Sequence, residues 1–96
     1  MSEKSAYEQK AKAEMEGIAA RIEQIKAKAL KADADARIRA EEQIEKWKQQ
    51  KKEIQAKLDE LKKTGGGALE QLKSGTQQAI ADLKQAVERA ASQFRK

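Results

Sequence analysis

From Ala40 to Leu61 the apolar side chains fall at Ala40, Ile44, Trp47, Ile54, Leu58 and Leu61, with Lys51 filling the one gap in the register. Steps of three and four residues place all of them on one stripe of an α-helix. Upstream the same pattern runs through Tyr7, Ala11, Met15, Ile18, Ile22, Ile25, Ala29, Ala32 and Ala36. No proline interrupts it, so the spacing predicts one long helix over about residues 4–63, a rod of roughly 90 Å at 1.5 Å per residue. Consecutive steps of four at Tyr7-Ala11-Met15 and Ala36-Ala40-Ile44 are stutters, which relax a left-handed supercoil and straighten the rod. The stripe is weakest between Ala27 and Ala40, where its positions are mostly alanine. Leu30, Ala34 and Ile38 follow one another at i+4 on a different face. They are either a second contact surface or two isolated exposed aliphatics.

Local signals agree with a helix. Ser5 and Glu8 have capping-box spacing, with Ser2 and Glu3 an equivalent start one turn earlier. Glu8–Lys12, Asp33–Arg37, Asp35–Arg39, Glu42–Lys46 and Glu53–Lys57 are acid-first i,i+4 pairs. Lys62 and Lys63 fall in the last turn, where cations suit the helix dipole. Gly17 interrupts the pattern, marking either a close helix crossing or nothing in particular.

Thr64-Gly65-Gly66-Gly67 ends this helix. Gly65 suits the left-handed position after a helix end, and Gly66 and Gly67 let the chain reverse. The run lacks the preceding strand and the Gly-Lys-Ser/Thr ending of a phosphate-binding loop, so it reads as a turn. Thr64 or Gly67 can cap the helix that follows. Its apolar positions are Leu69, Leu72, Thr76, Ala79/Ile80, Leu83, Ala86/Val87, Ala90 and Phe94, which predicts a second helix over about residues 68–95. Ser74-Gly75-Thr76 predicts a kink or a loosened turn within it. A short glycine turn makes antiparallel neighbours. The expected fold is therefore all-α: a single helical-hairpin domain, coiled-coil-like. Its core is Ile44, Trp47, Ile54, Leu58, Leu61, Leu69, Leu72, Ile80, Leu83, Val87 and Phe94.

A hairpin of this kind leaves Tyr7, Met15, Ile18, Ile22 and Ile25 without a cover. Those residues are the expected self-association surface. An antiparallel homodimer building a four-helix bundle is the simplest solution. On that arrangement Ile22→Asp and Ile25→Asp would release monomers.

Composition bounds the chemistry. Histidine and cysteine are absent, which removes the usual nucleophiles and general bases and any soft-metal site. Asp33/Asp35 and Glu41/Glu42 are carboxylate pairs on a charge-dense helix and match no calcium loop. No catalytic, cofactor or metal residue is assigned, no small-molecule substrate is expected, and the chain is read as a non-enzyme. The formal charge of +5 sits in the second half: residues 1–48 hold 11 Lys/Arg against 10 Asp/Glu, and residues 49–96 hold 10 against 6. Lys46-Trp47-Lys48 with Lys51 and Lys52 resembles a phosphate-and-stacking site, but Trp47 is in register with the stripe and reads as core. No signal-peptide run opens the chain, and no segment approaches the ~20 apolar residues of a membrane span. A cytoplasmic protein is expected.

The pieces Tyr7, Ile54 to Leu61, and Leu69 to Leu83 with Leu72-Lys73-Ser74-Gly75 resemble short bacterial coiled-coil domain-containing proteins, a group with no settled activity. The resemblance runs from Ser2 to Phe94. From the two stripes themselves, the expected function is that of a non-enzymatic structural or scaffolding coiled-coil protein acting through self-association and protein–protein contacts. The Ala/Lys/Glu-rich helix is also similar to late-embryogenesis-abundant stress proteins and apolipoprotein-like helices, whose eleven-residue repeats it lacks. The second helix carries Leu69, Leu72, Ile80, Leu83, Val87 and Phe94 on one side with lysines about it, so an amphipathic stress-related protein lying on lipid or granule surfaces is the alternative, with nucleic-acid binding by the basic half ranked below it.

Overall fold

The computed structural model describes residues 3–93. It holds three helices: α1 (Glu3–Ala29), α2 (Ala34–Lys63) and α3 (Gly67–Gln93), each packed against the other two. The expected rod of residues 4–63 is therefore broken. Residues 30–33 bend the chain back, and the molecule measures 51 × 20 × 15 Å.

The bend forms without a breaker residue. The end of α1 tightens as the Lys31 and Ala32 N–H groups donate to the carbonyls of Lys28 and Ala29 at 3.1 Å, bonds of 3₁₀ type. Asp33 then caps α2. Its backbone is extended (φ −66°, ψ 167°), and its carboxylate accepts from the Ala36 N–H at 2.8 Å. Lys26 and Lys28 stand at the negative end of α1, and Asp35 at the positive end of α2.

Burial decides the bend. Kept straight, the helix would leave Ile18, Ile22 and Ile25 in water, and each contributes about 1.5–3 kcal/mol when buried. Breaking it forfeits a few residues of helix, at tenths of a kcal/mol each for Leu, Lys and Ala. Folding α1 back covers the row within one chain, so no second chain is needed to keep it dry. Tyr7, Ile18, Ile22 and Ile25 are buried, and Met15 is half-buried against the same core. The premise for an intermolecular cover on these residues is removed, and the two-helix hairpin gives way to a three-helix bundle.

Three contacts set the directions. The Lys4 ammonium donates to the carbonyls of Lys62 (2.8 Å) and Thr64 (2.9 Å), bringing the start of α1 to the end of α2. The Tyr7 hydroxyl donates to the Lys73 carbonyl at 3.2 Å, and the Arg21 guanidinium holds Glu88 with two bonds of 3.0 and 2.9 Å. Their sequence separations are 66 and 67, so α1 and α3 run parallel and α2 runs against both.

The hairpin core residues Ile44, Trp47, Ile54, Leu58, Leu61, Ile80, Leu83 and Val87 are buried, and Leu69 and Leu72 are half-buried against them. Phe94 lies outside the described residues. Several local expectations change. α1 starts at Glu3, so Ser5 sits inside the helix and not at its cap. Thr64 closes α2: its N–H donates to Leu61 and its hydroxyl to the Glu60 carbonyl. The left-handed residue is Gly66 (φ 68°), not Gly65, and Gly67 is the first residue of α3. Helix α3 runs unbroken through Ser74-Gly75, where the Thr76 hydroxyl turns back to the Leu72 carbonyl at 2.7 Å.

Candidate interaction surface

With its apolar rows turned inward, the bundle leaves two large apolar side chains exposed among the described residues: Leu30 (66%) and Ile38 (53%). They stand at the bend, Leu30 as its first residue and Ile38 in the first turns of α2. Their exposure follows from register. The buried set of α2 is Ala40, Ile44, Trp47, Ile54, Leu58 and Leu61, and Ile38 is two residues ahead of that series, turned away from it. Leu30 follows directly on Ala29, the last buried residue of α1.

Beside Leu30 is a hollow of about 260 Å³ between α1 and α2, floored by Ala29 and Ile44 and rimmed by Lys26, Arg37, Glu41 and Lys48. Glu45 belongs to the same rim and lies 3.7 Å from the Lys48 ammonium. The arrangement is an apolar floor inside a rim of both charges.

A second groove follows the α1–α3 seam as two hollows of about 340 and 270 Å³ that share Glu14 and Lys84. Its walls carry the Arg21–Glu88 pair, and hydrogen bonding to Glu88 holds the Arg21 guanidinium above its ordinary basicity. Gly17 lines this groove. A methyl added there would meet nothing within 4 Å, so Gly17 marks no close crossing.

The other sequence-derived candidates fall elsewhere. Trp47 is buried (4%) in the shared core, so its ring is not available to stack on a base. The apolar face of α3 that would have met lipid, Ile80, Leu83 and Val87, is inside the bundle. Among the described residues no cluster of three or more acidic side chains could hold a metal ion, and no helix is long and apolar enough to cross a membrane. The residue that pattern reasoning missed is Asp33. Read as half of an ion pair with Arg37, it is a helix cap. The signal was available in Lys26, Lys28 and Lys31 followed by Asp33 and Asp35: cations closing one helix and acids opening the next.

Comparison with known proteins adds no relative: no family model, curated protein or solved structure matches the chain.

Proposed function

We propose that the protein is a non-enzymatic structural or scaffolding element whose work is contact with other protein surfaces, a second copy of itself included. The exposure of Leu30 and Ile38 at the bend carries this reading. An apolar centre inside a rim of both charges is the anatomy of a protein contact, whereas a nucleic-acid surface is dominated by basic groups.

Light scattering on the full chain tests it. A mass above the 10.7 kDa of one chain is expected as concentration rises, and Leu30→Glu with Ile38→Glu should abolish the rise while helicity is kept. No association at any concentration, or association that survives both substitutions, would overturn the reading.

A further inference from the structure

Much of the chain's surplus charge is gathered at the α1–α2 bend. Residues 26–39 carry Lys26, Lys28, Lys31, Arg37 and Arg39 against Asp33 and Asp35, so three of the five net positive charges of the chain fall in this one stretch. The Asp33 carboxylate is taken up by the cap of α2, where it accepts from the Ala36 N–H at 2.8 Å. Among the described residues neither Lys26 nor Arg37 forms an ion pair.

In the hollow beside Leu30 this charge meets apolar surface. Lys26 of α1 and Arg37 of α2 stand on its rim, over the floor of Ala29 and Ile44. Lys48 and Glu45, also on the rim, lie 3.7 Å apart and offset each other. That leaves Lys26 and Arg37 set against the Glu41 carboxylate. The volume of about 260 Å³ is below the roughly 300–1,000 Å³ of a small-molecule pocket, but it admits one side chain of leucine or phenylalanine size. A lipid surface is a poorer match. Glu41 and Glu42 follow Ile38 at i+3 and i+4, so an inserted Ile38 would carry two carboxylates towards anionic headgroups. A nucleic acid would leave Leu30 and Ile38 against phosphate.

We propose that the partner at the Leu30–Ile38 end is an acidic segment of another protein, which places one apolar side chain in the hollow and its carboxylates on Lys26 and Arg37. The inference rests on the reading of this end as a contact surface and names the chemistry of its partner. Burial of the anchor supplies affinity, and charge of opposite sign steers the encounter and fixes the register. The Arg37 guanidinium can take a carboxylate with two parallel N–H bonds. A second copy of the chain is the weaker partner, because both copies carry a net charge of +5 and bring the same cations to the contact.

A peptide selection on the full chain tests it. Random dodecapeptides displayed on phage are selected against the protein, and the enriched peptides are labelled and measured by fluorescence anisotropy. The expected result is enrichment of sequences that combine several Asp or Glu with an apolar residue. Leu30→Glu should weaken their binding about tenfold or more, and so should Lys26→Glu with Arg37→Glu. Raising the salt from about 0.05 to about 0.5 M should weaken it severalfold. The same peptides with lysine at the acidic positions should prefer the charge-reversed chain to the natural one. All three substitutions are at exposed positions, and circular dichroism checks that helicity is kept. Enrichment of neutral or basic peptides, or of none, overturns the proposal, as does binding that the charge reversal leaves unchanged. Uptake by phosphatidylserine vesicles or by duplex DNA that is lost with the same substitutions, without an acidic peptide preference, also overturns it. If any of these occurs while the concentration-dependent rise in mass is still abolished by Leu30→Glu with Ile38→Glu, the acidic partner is refuted and the contact surface stands.

Discussion

At Tyr7 a single side chain links α1 to α3. Its ring is buried, its hydroxyl donates to the Lys73 carbonyl, and the Lys73 ammonium lies 5.4 Å from the ring centre. Burial, with the Glu14 carboxylate adding to it, pushes the phenol above its ordinary value of 10.0. The unfolded chain therefore gives up this proton first as pH rises. Stability from Tyr7 is fully present below about pH 10 and is lost above it, because the folded state binds more protons there. Chemical denaturation across pH 8 to 11 should show a falling midpoint that Tyr7→Phe flattens. An equal fall in the variant would place the effect elsewhere. The core gives a sharper result at Ile22 and Ile25, which are 5% and 1% exposed. A carboxylate at either site is buried without a partner and costs several kcal/mol. Ile25→Asp should abolish the helical circular dichroism of the chain. Release of a well-folded monomer, the outcome expected of a dimer interface, would contradict the packing.

Within the helices, two glycines lie in positions that do not need them. Gly17 and Gly75 are exposed, and a methyl added at either would meet nothing within 4 Å. Alanine there should raise stability by about 0.5–1 kcal/mol each, chiefly by restricting the unfolded chain, and the two gains should add. Gly66 is the opposite case. Its φ of 68° is one that side chains rarely adopt, so Gly66→Ala should lower stability by about 1 kcal/mol. Thermal melts of the three variants check both signs. The helices are otherwise joined by devices that differ at the two ends. The α2–α3 turn has Thr64, which closes one helix with both its N–H and its hydroxyl, and a left-handed glycine. The α1–α2 bend has one aspartate and ordinary helix formers.

The whole molecule has a Cα radius of gyration of 15.4 Å. A straight helix 90 Å long has by itself a radius of gyration of roughly 26 Å. Small-angle scattering at low concentration should give a value close to the compact one, and a value near that of the rod would show the bend open. Much of this molecule was legible in its spacing. Every stripe position from Tyr7 to Ile25 other than Met15, from Ala40 to Leu61 other than Lys51, and Thr76, Ile80, Leu83, Val87 and Ala90 in α3, is buried. Lys51 stands half-exposed in its gap, where a long stem can cover core while the ammonium reaches water. What spacing could not reveal was the partner of each stripe, because a row of isoleucines reads the same whether its cover is the same chain or another.

Periodicity, the absence of proline and the glycine run were enough to dictate helices, their inward faces and the second turn, since these depend on neighbours three or four residues apart. The break at 30–33 depended on something no local pattern contains: the free energy of laying Ile18, Ile22 and Ile25 against residues 20 to 70 positions away. Only the assembled core could set that gain against about one lost turn of helix, and it decided for the bend.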